Sequence, residues 1–256
     1  MYLGQREPGI AEVVLDRPPA NPFGMTELKK LRDILDQVEK DDLIKVLVIR
    51  STSRMFCAGA DIQMMGKFST DPAGPKALAD FAADLQGVFR KLRRLPCCTI
   101  AAIAGVATGG GFELALSCDI RVIGETVRCG LPEILLGLIP AAGGTQLMSE
   151  IAGKGAALRL ILSGELITGE EARRLNLVQY AVANDTVDAF SFGLAQTIAR
   201  QPAEAIKIAK RCISSAGSEA GYAEEISGTL TLQQSNETKA LIANFLASRS
   251  AKPAAY

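Results

Sequence analysis

The sequence of 256 residues contains no histidine and no tryptophan, and only 5% of its residues are aromatic. Without histidine, the chain cannot build the Ser-His-Asp, Cys-His or His-metal sites on which many enzymes depend. The low aromatic content argues against a platform for stacking nucleic-acid bases. If the chain is an enzyme, its proton transfers near neutral pH are therefore expected to fall to carboxyl groups.

The sequence also lacks an excess of charge, because 28 lysines and arginines balance 28 aspartates and glutamates. This balance predicts no nucleic-acid partner and no anionic membrane partner. The cysteines form neither a C-x-x-C pair nor a zinc-binding spacing, so we expect reduced thiols and no metal. No apolar run approaches the roughly 18 residues of a membrane-spanning helix, and no leader segment precedes the first strand, which predicts a cytoplasmic protein.

Apolar periodicity predicts strands that alternate with helices, and hence an α/β fold. The predicted strands are 11–16, 44–49, 99–103, 119–123 and 178–182. The predicted helices are 26–41 with Thr26 as its N-cap, one starting at Asp61, 75–95, 112–117, 144–152, 155–162, 169–174, 186–200, 202–214 and 219–247. We place a boundary near 195–205, which gives a core of residues 1–198 and a C-terminal helical region of residues 199–256.

Two bends of small residues, at 57–60 and 109–111, each lie between a predicted strand and a predicted helix. Such a bend exposes backbone N–H groups at the start of the helix. Ala60 and Gly110 could each present one free N–H, and two such donors on one oxygen would form an oxyanion hole, each worth about 3 kcal/mol. Close packing of strand and helix explains the small residues equally well.

Glu113 and Glu133 each follow a bend marked by glycine or proline. Helix capping and the helix dipole alone would account for an acid at either position. Glu113, however, lies in an apolar run that predicts its burial, and a buried acid needs a partner or a role. Together with the two bends, the two glutamates predict a site that transfers protons.

Three ordered motifs, at residues 56–62, 103–115 and 132–146, resemble those of the crotonase superfamily, and most closely its enoyl-CoA hydratases. The resemblance covers essentially the whole chain. It implies a spiral of ββα repeats with two roughly perpendicular sheets, followed by C-terminal helices that build a homotrimer, two of which often stack into a hexamer. It also implies an acyl-CoA thioester substrate and no cofactor, since coenzyme A is part of that substrate.

The resemblance assigns the oxyanion donors to the backbone N–H groups of Ala60 and Gly110, and the two catalytic acids to Glu113 and Glu133. It further implies that acyl-CoA contacts Ala60, Gly110 and five other residues. These five are Arg54, Ala58, Asp61, Ile62 and, toward the ligand of a neighbouring subunit, Phe245.

The chain departs from the family pattern at several positions. These are Pro19 in place of a basic residue, Ala141 in place of a glycine, Leu147 in place of an arginine, and Ala240 with Leu241 in place of an acid-glycine pair. The departures bear on the identity of the substrate rather than on the class of reaction.

The implied reaction is the reversible syn addition of water to a 2-enoyl-CoA, as in the β-oxidation of fatty acids. The alternatives are a 3-enoyl to 2-enoyl-CoA isomerase that needs one acid, matching Glu133, a thioester hydrolase or decarboxylase, and a non-catalytic relative that binds RNA. The absence of net charge and of tryptophan weighs against RNA binding. The accepted acyl chain length is not evident, because it depends on residues scattered over 75–95 and beyond.

Overall fold

The computed structural model describes residues 1–250, apart from the side chains of Ser69, Arg249 and Ser250. The chain divides into two compact units, Met1–Ala199 and a second unit that begins at Arg200. Both sheets lie in the first unit. The described part of the second unit consists of helices.

The strands are β1 (Tyr2–Glu7), β2 (Ile10–Leu15), β3 (Val46–Ser51), β4 (Met55–Cys57), β5 (Cys98–Ile103), β6 (Val106–Thr108), β7 (Ile120–Gly124), β8 (Arg128–Gly130), β9 (Ile167–Thr168) and β10 (Tyr180–Val182). The α-helices are α1 (Met25–Lys40), α2 (Ile62–Thr70), α3 (Gly74–Arg94), α4 (Gly110–Leu116), α5 (Gly144–Ser163), α6 (Gly169–Arg174), α7 (Val187–Ala199), α8 (Ala203–Ser214), α9 (Glu219–Gln234) and α10 (Asn236–Ser250). Two 3-10 helices span Pro132–Leu136 and Asn184–Thr186.

A six-stranded sheet, in the order β1-β2-β3-β5-β7-β10, forms the larger layer of the first unit. Only β1 pairs antiparallel with its neighbour, and the other neighbouring strands are parallel. On β3, Val46 and Val48 pack with α7, whereas Leu47 and Ile49 join the core that includes α1 and α3. Because both faces of the sheet are covered, its central strands contain apolar runs, such as residues 46–49 of β3 and 100–103 of β5.

A second sheet, in the order β4-β6-β8-β9, is built from very short strands and supports α4. Every residue of α4 is buried. A β-carbon on Gly111 would lie 2.1 Å from the carbonyl oxygen of Cys57, so only glycine allows α4 to approach β4 this closely. The bends that follow β4 and β6 are consequently brought side by side.

The structure confirms the predicted α/β fold class, with two sheets and C-terminal helices. The prediction of Thr26 as a helix cap is wrong, because α1 begins at Met25 with Gly24 as its N-cap. There the carboxylate of Glu27 accepts the N–H of Gly24 and pairs with Arg17. Asp61 does cap α2, since its carboxylate accepts the N–H groups of Gln63 and Met64.

The prediction of one helix over 219–247 is also wrong, because α9 and α10 are separate. Ser235 divides them, and its hydroxyl oxygen accepts the N–H of Thr238 at 3.0 Å. Serine is more favourable as the N-cap of a new helix than in the interior of a continuing one, because its hydroxyl bonds to a free backbone N–H. Apolar periodicity alone does not reveal such a break.

The last two helices expose several large apolar side chains in the described chain. They are Tyr222, Ile226 and Leu230 on α9, and Leu241, Ile242, Phe245 and Leu246 on α10. Within residues 1–250, no helix combines the length and the apolar character needed to cross a lipid bilayer.

Leu31 on α1 tests the packing of the core beneath the larger sheet. Its side chain is 0% exposed, so Leu31→Ala should lower the free energy of unfolding by about 2–5 kcal/mol, the usual cost of the lost contacts and the cavity. Leu43→Ala is the matched control, since Leu43 is 79% exposed and its loss should change stability by no more than about 0.5 kcal/mol. Urea denaturation of the two variants measures both effects, and equal midpoints would contradict the assignment of Leu31 to the core.

Candidate active site

Glu113 is held inside the first unit by two backbone donors. It lies on α4 and is 2% exposed. Its Oε1 atom accepts the N–H of Ala142 at 2.8 Å and the N–H of Gly144 at 2.7 Å. Gly144 is the first residue of α5, so the carboxyl group lies at the positive end of the first part of this helix, which is kinked at Gly153. These contacts fix the position of the carboxyl group and favour its ionised form.

Glu133 lies on the shallow 3-10 helix Pro132–Leu136. Its Oε2 atom is buried and has no hydrogen-bond partner among the described residues. Its Oε1 atom lies against Gly109, where a β-carbon would be only 3.0 Å away. Gly109 also has a positive φ of 54°, so a larger residue there would strain the backbone and displace the carboxyl group. Glu133 is thus directed to the glycine bend after β6.

Two backbone N–H groups come together between the bends. Ala60 forms an isolated parallel bridge with Phe23, in which Phe23 bonds to the flanking residues Gly59 and Asp61. The N–H of Ala60 therefore points away from Phe23. A β-carbon on Gly110 would lie 3.8 Å from the amide nitrogen of Ala60, so the two bends are in contact. Within the described chain, neither amide has a hydrogen-bond acceptor.

A cavity of about 460 Å³ connects these groups. Six of the sequence-predicted site residues line it: Ala58, Ala60, Ile62, Gly110, Glu113 and Glu133. The remaining lining residues are Met65, Pro75, Leu78, Ala79, Phe81, Ala82, Leu85, Thr108, Gly109, Pro132, Leu136, Leu138, Ile139, Ala141 and Ala142. An apolar cavity with a few convergent polar groups is typical of a small-molecule site.

Burial changes the acidity of both carboxyl groups. The pKa of Glu113 is raised to about 7, chiefly by loss of solvation and also by the nearby charge of Glu133, while the N–H bonds from Gly144 and Ala142 oppose the rise. Loss of solvation also raises the pKa of Glu133. Burial thus moves the pKa of Glu113 close to neutral pH and the pKa of Glu133 in the same direction, and a pKa near the working pH suits a general acid or base.

Three other predicted site residues lie outside the lining of this cavity. The carboxylate of Asp61 caps α2 and pairs with Arg17 at 2.7 Å, which lowers the pKa of Asp61. Arg54 has an exposed side chain between β3 and β4. Phe245 lies on α10 in the second unit and is exposed there. The predicted contacts of these residues with acyl-CoA stay predictions.

The two backbone donors to Glu113, the N–H groups of Ala142 and Gly144, are not predicted from the sequence. The signal was present in the run from Ala141 to Gly144, where small residues lead into a long helix, but nothing in the run identifies its acceptor. Leu147, which replaces the family arginine, is buried in the core behind this run. No group of three or more acidic or cysteine side chains within residues 1–250 is arranged to hold a metal ion.

A buried and a half-buried carboxyl group lie beside two amides that have no acceptor among the described residues, in a cavity on a two-sheet α/β fold. Such an arrangement is typical of enzymes that transfer protons next to a developing oxyanion. The family model described as enoyl-CoA hydratase/isomerase matches residues 5–246. The chain belongs to this family, and so to the crotonase superfamily of enzymes.

Individual relatives agree with this assignment. The probable enoyl-CoA hydratase 2, mitochondrial, of Arabidopsis thaliana is 37% identical over 213 residues, which cover 82% of this chain and 69% of the relative. The structure of DspI from Pseudomonas aeruginosa has a TM-score of 0.89 at 33% identity, covering 96% of this chain and 94% of that one. The crystal structure of enoyl-CoA hydratase from Bacillus anthracis has a TM-score of 0.90 at 27% identity, covering 96% of each chain.

The influence of Glu133 on Glu113 can be measured directly. Glu133→Gln removes a neighbouring negative charge, so the pKa of Glu113 should fall from about 7 but stay above 4.5, because burial is the larger cause of the rise. Carbon-13 NMR of labelled glutamate side chains follows the titration, with Glu113→Gln used to assign the signal. Glu150→Gln is the control, since that side chain is 61% exposed on α5 and pairs with Arg93. An unchanged pKa in Glu133→Gln would show that the two carboxyl groups do not interact.

Proposed function

We propose that the protein is a hydro-lyase that reversibly adds water to the double bond of a 2-enoyl-CoA in the syn sense, giving a 3-hydroxyacyl-CoA. The observation that carries the proposal is the arrangement around one cavity of a buried and a half-buried carboxyl group and of two amides that have no acceptor within residues 1–250. The sequence-predicted catalytic residues Glu113, Glu133, Ala60 and Gly110 are the four groups concerned.

The thioester carbonyl would accept hydrogen bonds from the N–H groups of Ala60 and Gly110. Water attack on the β-carbon moves negative charge onto that carbonyl oxygen. Fixed donors bind the resulting enolate better than the neutral ground state, so they lower the barrier instead of only tightening binding. Since neither N–H has an acceptor among the described residues, both donors are available to the substrate.

The two glutamates would hold one water molecule between them. Two backbone donors stabilise Glu113 as a carboxylate, so we assign it to the removal of a proton from water. The buried Oε2 atom of Glu133 has no donor among the described residues, so it can carry the proton that the pair shares once substrate is bound, and we assign this group to protonation of the α-carbon. The proton taken from water is thus balanced by the proton given to carbon.

The proposal extends to properties that the fold and the family leave open. We expect no metal or redox cofactor, a role in fatty-acid β-oxidation, and acyl-CoA contacts at Arg54, Asp61 and Phe245. The exposed apolar residues of α9 and α10 support assembly into a homotrimer or hexamer through the region 199–256, of which 251–256 lies outside the described residues. We keep the prediction of a cytoplasmic protein, although the Arabidopsis relative is named mitochondrial.

Replacing either acid by its amide tests the paired mechanism. Glu113→Gln and Glu133→Gln should each lower kcat for hydration by about 10²–10⁴, since each removes one proton transfer. Binding of a saturated acyl-CoA should remain, because neither change shortens the side chain. Loss of the conjugated enone absorbance measures the rate, and Glu150→Gln is the control. A wild-type rate in either site variant would refute the two-acid scheme.

The pH profile tests the division of roles. If Glu113 must be ionised to act on water, kcat/KM should fall as the pH drops through about 7, the value to which burial raises the pKa of Glu113. Stopped-flow rates between pH 5 and pH 9 provide the measurement. An acidic limb near the ordinary glutamate pKa of about 4.3 would contradict the assignment of Glu113 as the base.

The isomerase alternative is separated by its products. A hydratase forms a 3-hydroxyacyl-CoA from a 2-enoyl-CoA, whereas an isomerase only moves the double bond. Chromatography of the thioesters after incubation with a 2-enoyl-CoA distinguishes the two, and absence of the hydroxylated product would favour the isomerase.

A further inference from the structure

The segment of residues 17–24, between β2 and α1, runs along the bend that follows β4. The N–H of Phe23 donates to the carbonyl of Gly59 at 2.7 Å, and the N–H of Asp61 donates to the carbonyl of Phe23 at 2.9 Å. These two bonds hold the residues on either side of Ala60. The position of the Ala60 N–H therefore depends on where the 17–24 segment lies.

Asn21 fixes the middle of this segment to β4. It is 6% exposed and has a positive φ of 50°. Its side-chain amide donates to the hydroxyl of Ser51 at 2.7 Å and to the carbonyl of Phe56 at 3.0 Å. Its Oδ1 atom accepts the N–H of Arg17 at 2.7 Å. These bonds give the middle of the segment one defined position.

Arg17 joins the segment to the starts of two helices. Its Nη1 atom donates to the carboxylate of Glu27 on α1 at 3.0 Å, and its Nη2 atom donates to Oδ2 of Asp61, ahead of α2, at 2.7 Å. The side chain of Asp61 is only 14% exposed and that of Glu27 only 17%. A network of charges with good geometry and little exposure of the acids holds its members more firmly than an isolated surface pair does.

The two carboxylate oxygens of Asp61 have different partners. Oδ1 accepts the N–H groups of Gln63 and Met64 and so caps α2, whereas Oδ2 accepts the guanidinium of Arg17. The bond from Arg17 is the main reason why the pKa of Asp61 is lowered, so the carboxylate stays charged at neutral pH. Because asparagine is also a good N-cap, Asp61→Asn can keep the cap and lose the ion pair.

The bend that carries Ala60 lies directly against the second amide donor. A β-carbon on Gly59 would lie 2.9 Å from the amide nitrogen of Gly110. Because the two bends touch here, any shift of Ala60 changes its position relative to Gly110. Where two donors must meet at one oxygen, a misplacement of about 1 Å can lower the rate on the order of 10²-fold.

We propose that Arg17 is a positioning residue for the oxyanion donor at Ala60 and acts through its ion pair with Asp61. Arg17 does not line the cavity, so its effect reaches the substrate through the bend. This inference rests on the proposed function, because it takes the thioester carbonyl as the acceptor of the Ala60 N–H. It adds a residue that holds one donor in place without touching the reacting atoms.

A double-mutant cycle on the ion pair tests the inference. Arg17→Gln and Asp61→Asn should each lower kcat for hydration about 10- to 100-fold and change KM by less than about threefold, because the donor acts mainly in the transition state. The double variant should be within about twofold of the slower single variant, since both changes break the same interaction. Losses that multiply in the double variant, or a raised KM with unchanged kcat in either single variant, would overturn the inference.

Arg93→Gln is the matched control for the loss of an arginine. The side chain of Arg93 is 42% exposed, against 41% for Arg17, and it pairs with Glu150 away from the bend. Its kcat should equal that of the wild type. A loss in Arg93→Gln as large as that in Arg17→Gln would show a general effect of removing a half-exposed arginine and would contradict the role of Arg17.

Infrared difference spectroscopy of bound butyryl-CoA, labelled with carbon-13 at the thioester carbonyl, tests the positioning without a reaction. The signal comes only from folded protein that holds the ligand. Hydrogen bonds from Ala60 and Gly110 should polarise the carbonyl and lower its stretching frequency below that of free butyryl-CoA. In Arg17→Gln and Asp61→Asn the frequency should move back toward the free value, and in Arg93→Gln it should not. A wild-type frequency in both ion-pair variants would refute the positioning role.

The outcomes also separate the inference from the function on which it rests. If the wild-type protein leaves the carbonyl frequency at its free value, the oxyanion hole is absent, and the proposed function and the inference fail together. If the wild type lowers the frequency and the ion-pair variants lower it equally, only the inference fails. If the frequencies move as expected but 2-enoyl-CoA is not hydrated, the proposed reaction is wrong and the role of Arg17 stands.

Discussion

The bonds from the backbone of Ala142 and Gly144 to one oxygen of Glu113 join the parts of the molecule on which the site depends. They connect α4 to the start of α5. They therefore also fix the position at which the segment that carries Glu133 joins α5. An acid buried without such donors would lose more by desolvation than it gains by packing. The two donors thus offset part of the desolvation cost of the carboxyl group. Both bond to its Oε1 atom and not to its Oε2 atom.

The same helix that carries Glu113 begins with Gly110, so one short element supplies both an acid and an amide donor. Its position follows from its contact with β4 at Gly111, where no side chain fits. The bend after β4 then brings Ala60 next to Gly110. Backbone packing therefore determines where the donors lie, and the side chains of the cavity only shape the space beside them.

The sequence predicts the features that depend on neighbouring residues better than those that depend on residues far apart in the chain. Long apolar periods, such as those of α1, α3 and α7, are local and were predicted to within a few residues. The strands of the second sheet have two or three residues, too few for an alternation to show, and only the family resemblance anticipated that sheet. The partners of Glu113 lie 29 and 31 residues along the chain, where no local pattern identifies an acceptor.

Glu113 and Glu133 lie on elements that differ in how far they are buried. Glu113 belongs to a helix whose every residue is buried, whereas the 3-10 helix of Glu133 contains no buried residue. A substitution at position 113 thus disturbs the interior more than one at position 133. The penalty for exchanging an acid is therefore unequal, and a larger loss of stability is expected at position 113 than at position 133.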